Sequence, residues 1–394
     1  MLFSLSLILL CGMLLGSICI KLKLPKLLGM LICGIILGPF VLNLIDPSVL
    51  NISADLRQIA LIIILTRAGL NLDIKDLLKV GRPAILMCFL PACFEILGMI
   101  LIAPKLLNIS ILEAAIMGTV LGAVSPAVIV PKMLKLMDEG YGNNKSIPQM
   151  ILAGASVDDV FVIVLFTAFT NLATGGSISP ITILNIPIAI ILGLILGIVT
   201  GILLCRIFKI IHMRDSSKVI IILSIAFLFV SLEHALNGII SISGLLAVMS
   251  MGIAIQKYRE PVALRLSKKF DKLWVGAELL LFVLVGASVN IEYALASGIK
   301  VIMLIFCVLM FRMLGVFICL IKTNLNKSEK VFTMIAYTPK ATVQAAIGSI
   351  PLAMGLACGN IVLSVAVMSI LITAPLGSFL IDLLYKKCLT TNKL

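Results

Sequence analysis

Apolar runs of roughly 17 to 25 residues, the length of a helix that crosses a bilayer core, recur from end to end of this 394-residue sequence. In hydrocarbon every backbone amide must be satisfied internally, so only helices and closed barrels can span it. The runs are continuous and do not alternate at every second residue, which speaks against barrel strands. Charged residues make up 12% of the chain, against about 25% in soluble domains. The fold class read from this is all-α and integral to the membrane.

We place 13 transmembrane helices at roughly 2-20, 26-43, 56-71, 83-103, 111-131, 150-173, 183-205, 218-236, 239-256, 273-289, 299-321, 331-353 and 360-385. No small-residue cleavage site follows the first run before Lys21, and Lys21, Lys23 and Lys26 come after it, so it reads as a retained helix rather than a signal peptide. Counting basic residues at the very ends of spans with the adjoining loop, 25 of the 31 Lys and Arg fall after odd-numbered spans, three after even-numbered spans, and three well within spans. The positive-inside rule then puts the N-terminus outside and the C-terminus in the cytoplasm. The net charge of +13 is a mark of topology and not a nucleic-acid footprint.

The longest linkers are cytoplasmic, Lys132 to Gln149 and Lys257 to Lys272. In the second, "QKYREPVALRLSKKFDKL", apolar residues interleave with basic ones. This suits either an interfacial amphipathic helix or a loop held near anionic headgroups. The ten cysteines lack paired spacing and read as small apolar packing residues. With two histidines, His212 and His234, nothing suggests a metal cluster or a cofactor.

The spans also read as an inverted repeat, 1-6 against 8-13. Span 5, "GTVLGAVSPAVIVP", carries Pro126 at mid-helix; its counterpart span 12, "AYTPKATVQAAIGSIP", carries Pro339 about a third of the way in. Paired broken helices at matching positions point to a transporter site near the midplane. Each proline frees a carbonyl one turn earlier; freed carbonyls can bind a cation, and half-helix ends carry partial charges.

Six charged residues lie well inside spans: Arg67, Glu95, Asp158, Asp159, Arg312 and Lys340. Each costs about 2.5 to 3.5 kcal/mol at a helix centre, so such groups face the protein interior or water and have partners. Glu95 and Arg312 sit mid-span at corresponding places in the two repeats, and we expect them to form a structural ion pair. Asp158 and Asp159, in "AGASVDDVFVIVLF", project about 100° apart around a helix. One is expected to face a cation cavity and the other a basic partner, for which Lys340, just past the break at Pro339, is the natural candidate. For Arg67 the expectation is packing against a helix end; Glu233 and Glu278 read as interfacial. Carboxylate oxygens are hard ligands suited to hard cations and also bind protons, so cation and proton compete for one place. Offered alternately to the two sides, such a site exchanges one for the other.

The runs "GASVDDVFVI", "LGAVSPAVIVPKML", "LTRAGLNLD" and "TPKATVQAAIGS" resemble the NHA branch (sodium/hydrogen exchanger 9B-like) of the monovalent cation:proton antiporter superfamily. The resemblance covers nearly the whole chain. It implies the Na+/H+ antiporter fold and a homodimer, with a core (about 83-173 and 299-385) that moves like an elevator against a dimer scaffold (about 1-71 and 183-289). It implies that Asp159 is the main carrier of Na+ or Li+ and of the proton, with Asp158 beside it. Thr119, Ser125 and Pro126 match the unwound crossing helix, Lys340 the second one, and Glu95 with Arg312 the family's intramembrane pair. In double-aspartate relatives a lysine on the equivalent of span 11 pairs with the first aspartate; here that place is Arg312. The expected protein is a plasma-membrane Na+(Li+)/H+ antiporter and not an enzyme. Rival readings are a K+/H+ antiporter, a Na+-coupled solute symporter of related fold, and a channel or signalling subunit. An intramembrane aspartyl protease would place its aspartates on separate helices.

Overall fold

The computed structural model describes residues 1–72, 81–174, 180–236, 242–290 and 298–391. Asp73 of the "LTRAGLNLD" run and the first residues of the ninth expected span lie outside them. The described residues form α1 (Leu2–Lys21), α2 (Lys26–Leu37), α3 (Pro47–Asn51), α4 (Ser53–Asn71), α5 (Arg82–Met87), α6 (Leu90–Leu107), α7 (Ile111–Leu121), α8 (Pro126–Asp138) and α9 (Ile147–Thr174). There follow α10 (Pro180–Ile210), α11 (Asp215–Ala235), α12 (Gly244–Tyr258), α13 (Glu260–Ala287), α14 (Gly298–Cys319), α15 (Lys327–Ala336), α16 (Thr342–Ile347), α17 (Ile350–Ala353) and α18 (Gly359–Cys388). The extended pairing among them is a single bridge, Tyr141 to Thr391.

Helix occupies every one of the expected ranges. Among the described residues, eight helical stretches are by themselves long and apolar enough to cross a bilayer, so length and apolarity alone support fewer crossings than 13. The rest are short, like α2, or carry more charge, like α13. The segment expected as a linker from Lys257 is largely helical: α13 runs unbroken through it into the tenth expected span. Its charges lower the hydropathy without breaking the helix, since Pro261 stands at the start, where its missing amide costs nothing.

The chain divides into two compact units. The first comprises Met1–Ala54, Asp76–Val162 and Leu279–Leu394. Within it α6 packs along α14, and α7, α8, α14, α15 and α16 all pack on α18. Two glycines set the approach of α6 to α14. A β-carbon on Gly98 would lie 2.7 Å from the Phe311 ring, and one on Gly315 would lie 2.8 Å from the Pro91 backbone; small residues at such crossings let membrane helices close up. The buried cluster around α8, α9 and α15 includes Met133, Ile147, Ile151, Phe332 and Tyr337. Each broken helix begins on a capping box, Ser110 with Glu113 and Asn326 with Glu329. Each then stops early, α7 after 11 residues and α15 after 10.

The second unit comprises Asp55–Lys75 and Ile163–Glu278. In it α12 packs against α10 and α11, and Glu233 accepts the Gly244 amide at 2.9 Å, capping α12. Arg67, expected to pack against a helix end, pairs with Asp271, a residue within α13: its Nε lies 2.5 Å from Asp271 Oδ1.

Candidate functional site

Both helix breaks lie in the first unit and meet there. Pro126 cannot donate into α7 and its ring blocks continuation, while its fixed φ suits the first position of α8. Residues 122–125 therefore leave the helix. In the other repeat residues 337–341 do the same between α15 and α16. The two breaks are joined directly, Ser125 N–H donating to Pro339 O at 2.8 Å.

A helix C-terminus leaves carbonyls unpaired and carries partial negative charge. Leu121 O accepts from Lys340 Nζ at 2.7 Å and from Gln344 Nε2 at 3.2 Å. Ala123 O accepts from Gln344 Nε2 at 2.9 Å, and Gly122 O accepts from Arg312 Nη1. Across the crossing, Tyr337 O accepts from Arg312 Nε at 2.7 Å. Both helix ends thus receive a positive side chain, the sign their dipoles favour. The chain's own cations and one amide engage these carbonyls.

The same side chains close a ring. Arg312 Nη1 donates to Glu95 Oε2 at 2.7 Å and Nη2 to Asp158 Oδ2 at 2.7 Å. Lys340 Nζ donates to that same Glu95 oxygen at 2.5 Å. Asp158 Oδ2 also accepts the Val124 N–H at 2.9 Å. The ring therefore runs from Gln344 through Leu121 O, Lys340, Glu95, Arg312 and Asp158 to the peptide between Ala123 and Val124, and back to Gln344. Glu95, Asp158, Arg312 and Lys340 are each at most 1% exposed, so all four charges are desolvated and each depends on its partners. The Tyr337 ring adds a face 5.0 Å from the Arg312 guanidinium carbon, and the Tyr337 hydroxyl is tied to Met87 O at 2.9 Å.

Here the pairing differs from what the sequence suggested. Lys340 lies on Glu95 rather than on an aspartate, while Asp158 Oδ2 is held by Arg312 Nη2 and the Val124 amide. Glu95 and Arg312 are paired, but not exclusively, since the guanidinium, with several donors in one plane, also holds Asp158 and two carbonyls.

Asp159 stands outside the ring. Half-buried, it keeps Oδ1 buried with no hydrogen-bond partner. Four more buried oxygens in these segments are likewise unpartnered: Asp158 Oδ1, Ser125 Oγ, Thr342 Oγ1 and Gln344 Oε1. Thr119 is buried in the last turn of α7, its hydroxyl donating to Ile116 O at 2.7 Å. Three carboxylates (Glu95, Asp158, Asp159) face two basic groups, leaving one negative charge when all are ionised. Hard oxygen donors carrying one surplus charge suit a small monovalent cation or a proton.

Sequence reading missed Gln344, Tyr337 and Thr373, whose hydroxyl accepts the Lys340 amide at 2.9 Å. For Gln344 a signal was available: it is an amide side chain in an otherwise largely apolar run, shortly after the break at Pro339.

Residues 5–387 match the family described as "Sodium/hydrogen exchanger, transmembrane". The chain is similar to sodium/hydrogen exchanger 9B2 of Homo sapiens, 33% identical over 348 residues, which are 84% of this chain and 63% of that protein. To 9B2 of Mus musculus it is 34% identical over 358 residues, 86% of this chain and 64% of the relative. It thus spans a little under two thirds of the length of these relatives. Among solved structures it is similar to the sodium proton antiporter MjNhaP1 from Methanocaldococcus jannaschii, with a TM-score of 0.85 at 21% identity over 98% of this chain and 97% of that one. An electron-microscopy structure of the same antiporter gives a TM-score of 0.74 at 22% identity, over 97% and 96%. At these identities the structural likeness is one of fold. The family match, in contrast, runs through both broken helices, the aspartate pair and the buried ring, and the chain belongs to the sodium/hydrogen exchanger family, whose members are transporters and not enzymes.

Proposed function

We propose that this protein is a secondary antiporter that exchanges Na+ or Li+ for H+ at one carboxylate site, with Asp159 as the carrier. The observation that carries the reading is the closed ring. It engages Asp158, Glu95, Arg312 and Lys340, and leaves Asp159 as the carboxylate outside it, with a buried oxygen free of hydrogen bonds. The surplus negative charge then resides at Asp159, where one cation or one proton neutralises it. Asp158 Oδ1 and the Ser125 hydroxyl supply neighbouring oxygens; Thr119 belongs to the same break.

Exchange requires the site to open to each side in turn. We assign this to elevator-type movement of a core formed by about 83-173 and 299-385 against a scaffold formed by about 1-71 and 183-289, in a homodimer. We place it in the plasma membrane, and the loop charges support an orientation with the N-terminus outside and the C-terminus cytoplasmic. The test is exchange in proteoliposomes holding a pH gradient. Addition of Na+ or Li+ dissipates the gradient with wild-type protein, and Asp159→Asn abolishes the response. Normal exchange by Asp159→Asn removes the assignment.

A further inference from the structure

Gln344 is fully buried and is held from one side only. Its amide nitrogen donates to two carbonyls of the other broken helix, Leu121 O at 3.2 Å and Ala123 O at 2.9 Å. Carbonyls only accept, so both contacts require the NH2 end of the side chain to face them. The Ala123 carbonyl belongs to the same planar peptide as the Val124 N–H, and across a trans peptide these groups point in opposite directions. That N–H donates to Asp158 Oδ2 at 2.9 Å. One peptide group is therefore gripped at both ends, by Gln344 at its oxygen and by Asp158 at its hydrogen. Hydrogen bonds in series polarise one another, and more so in a low dielectric. A donor on the carbonyl makes the N–H a stronger donor to the carboxylate.

We infer that Gln344 is a positioning residue for the aspartate pair, acting through the peptide between Ala123 and Val124. It sets where the Asp158 carboxylate sits and hence where Asp159, the next residue on α9, presents its oxygens to the cation. It also couples the two breaks, because the side chain comes from α16 and the peptide from the link between α7 and α8. The other side chains that donate to carbonyls here, Arg312 and Lys340, reach Gly122 O and Leu121 O. Within the ring, Gln344 alone holds the carbonyl of the peptide that reaches Asp158. This inference rests on the exchange reading above.

The experiment compares wild type with Gln344→Met, which keeps length and apolar volume but has no donor. It includes Gln344→Glu, which keeps the shape but turns an oxygen towards the two carbonyls. Initial rates of Na+- and Li+-driven gradient dissipation are measured in proteoliposomes across cation concentrations, alongside the amount of monodisperse protein. Both variants are expected to raise the apparent KM for Na+ about tenfold, equivalent to about 1.4 kcal/mol, to change the Na+/Li+ ratio of KM values, and to lower the maximal rate less than threefold. A purely structural role lowers yield or maximal rate and leaves both KM and the cation ratio unchanged; that result overturns the proposal, as does failure of both variants to fold. If wild type itself shows no Na+- or Li+-dependent dissipation, the exchange reading falls instead.

Discussion

Glu95 is not expected to touch the transported ion, yet its charge should govern ion affinity. Its Oε2 accepts from both Arg312 and Lys340. Glu95→Gln keeps the shape and removes one negative charge, so the five-group cluster goes from a surplus of one negative charge to neutrality. Two effects follow. Lys340 loses its buried anion, and breaking a buried pair by removing one partner costs about 3–5 kcal/mol of stability. The cation also loses attraction: two unit charges about 8 Å apart at an effective dielectric near 20 interact by about 2 kcal/mol, a weakening of roughly thirtyfold. Adding Lys340→Met removes the orphaned cation and restores the single surplus negative charge, while Leu121 O keeps its bond from Gln344. The assay is a double-mutant cycle with two readouts, thermal unfolding in detergent and apparent KM for Na+ in proteoliposomes. The double variant should be less destabilised than the sum of the singles by at least about 2 kcal/mol, and its KM should return to within about fivefold of wild type. Additive losses in stability, or a KM in the double variant as poor as in Glu95→Gln, would refute the charge-count argument.

Two further outcomes follow from the same geometry. Arg312→Lys should destabilise the protein by about 3 kcal/mol or more in thermal or denaturant unfolding, since an ammonium cannot reproduce a planar fork that serves Glu95, Asp158 and the carbonyls of Gly122 and Tyr337; an unfolding curve like that of wild type would contradict the ring. If one cation or one proton neutralises one surplus charge, exchange moves no net charge. Imposing about 100 mV with valinomycin and K+ should then change the rate less than twofold, whereas moving one net charge is worth about 2.3 kcal/mol per 100 mV.

The helices were legible because the bilayer demands long apolar runs, and the breaks because Pro126 and Pro339 interrupt such runs at matching places. The angular separation of Asp158 and Asp159 was legible too, since both lie on α9 and it follows from the turn per residue. The lateral partners were not. Position along a span does not say which neighbouring helix a side chain faces, so Lys340 was matched to an aspartate when its ammonium lies on Glu95. The number of partners was also hidden: from the sequence Arg312 was one charge to be matched by one other, while its guanidinium serves two carboxylates and two carbonyls. The prolines mark where carbonyls are freed, but what engages those at the end of α7 depends on Arg312, Lys340 and Gln344, which come from segments 190 to 223 residues away in the chain. Charge density misled at α13, where basic residues at a helix end read equally well as a loop.

In the proposed exchange, sodium and a proton displace each other at Asp159. Isothermal calorimetry of Na+ binding to the purified protein across a range of pH tests it directly. Apparent affinity should weaken on acidification, approaching about tenfold per pH unit in the acid limb, with binding accompanied by release of one proton there and lost in Asp159→Asn. Sodium affinity that stays constant with pH, with no proton released, would contradict it.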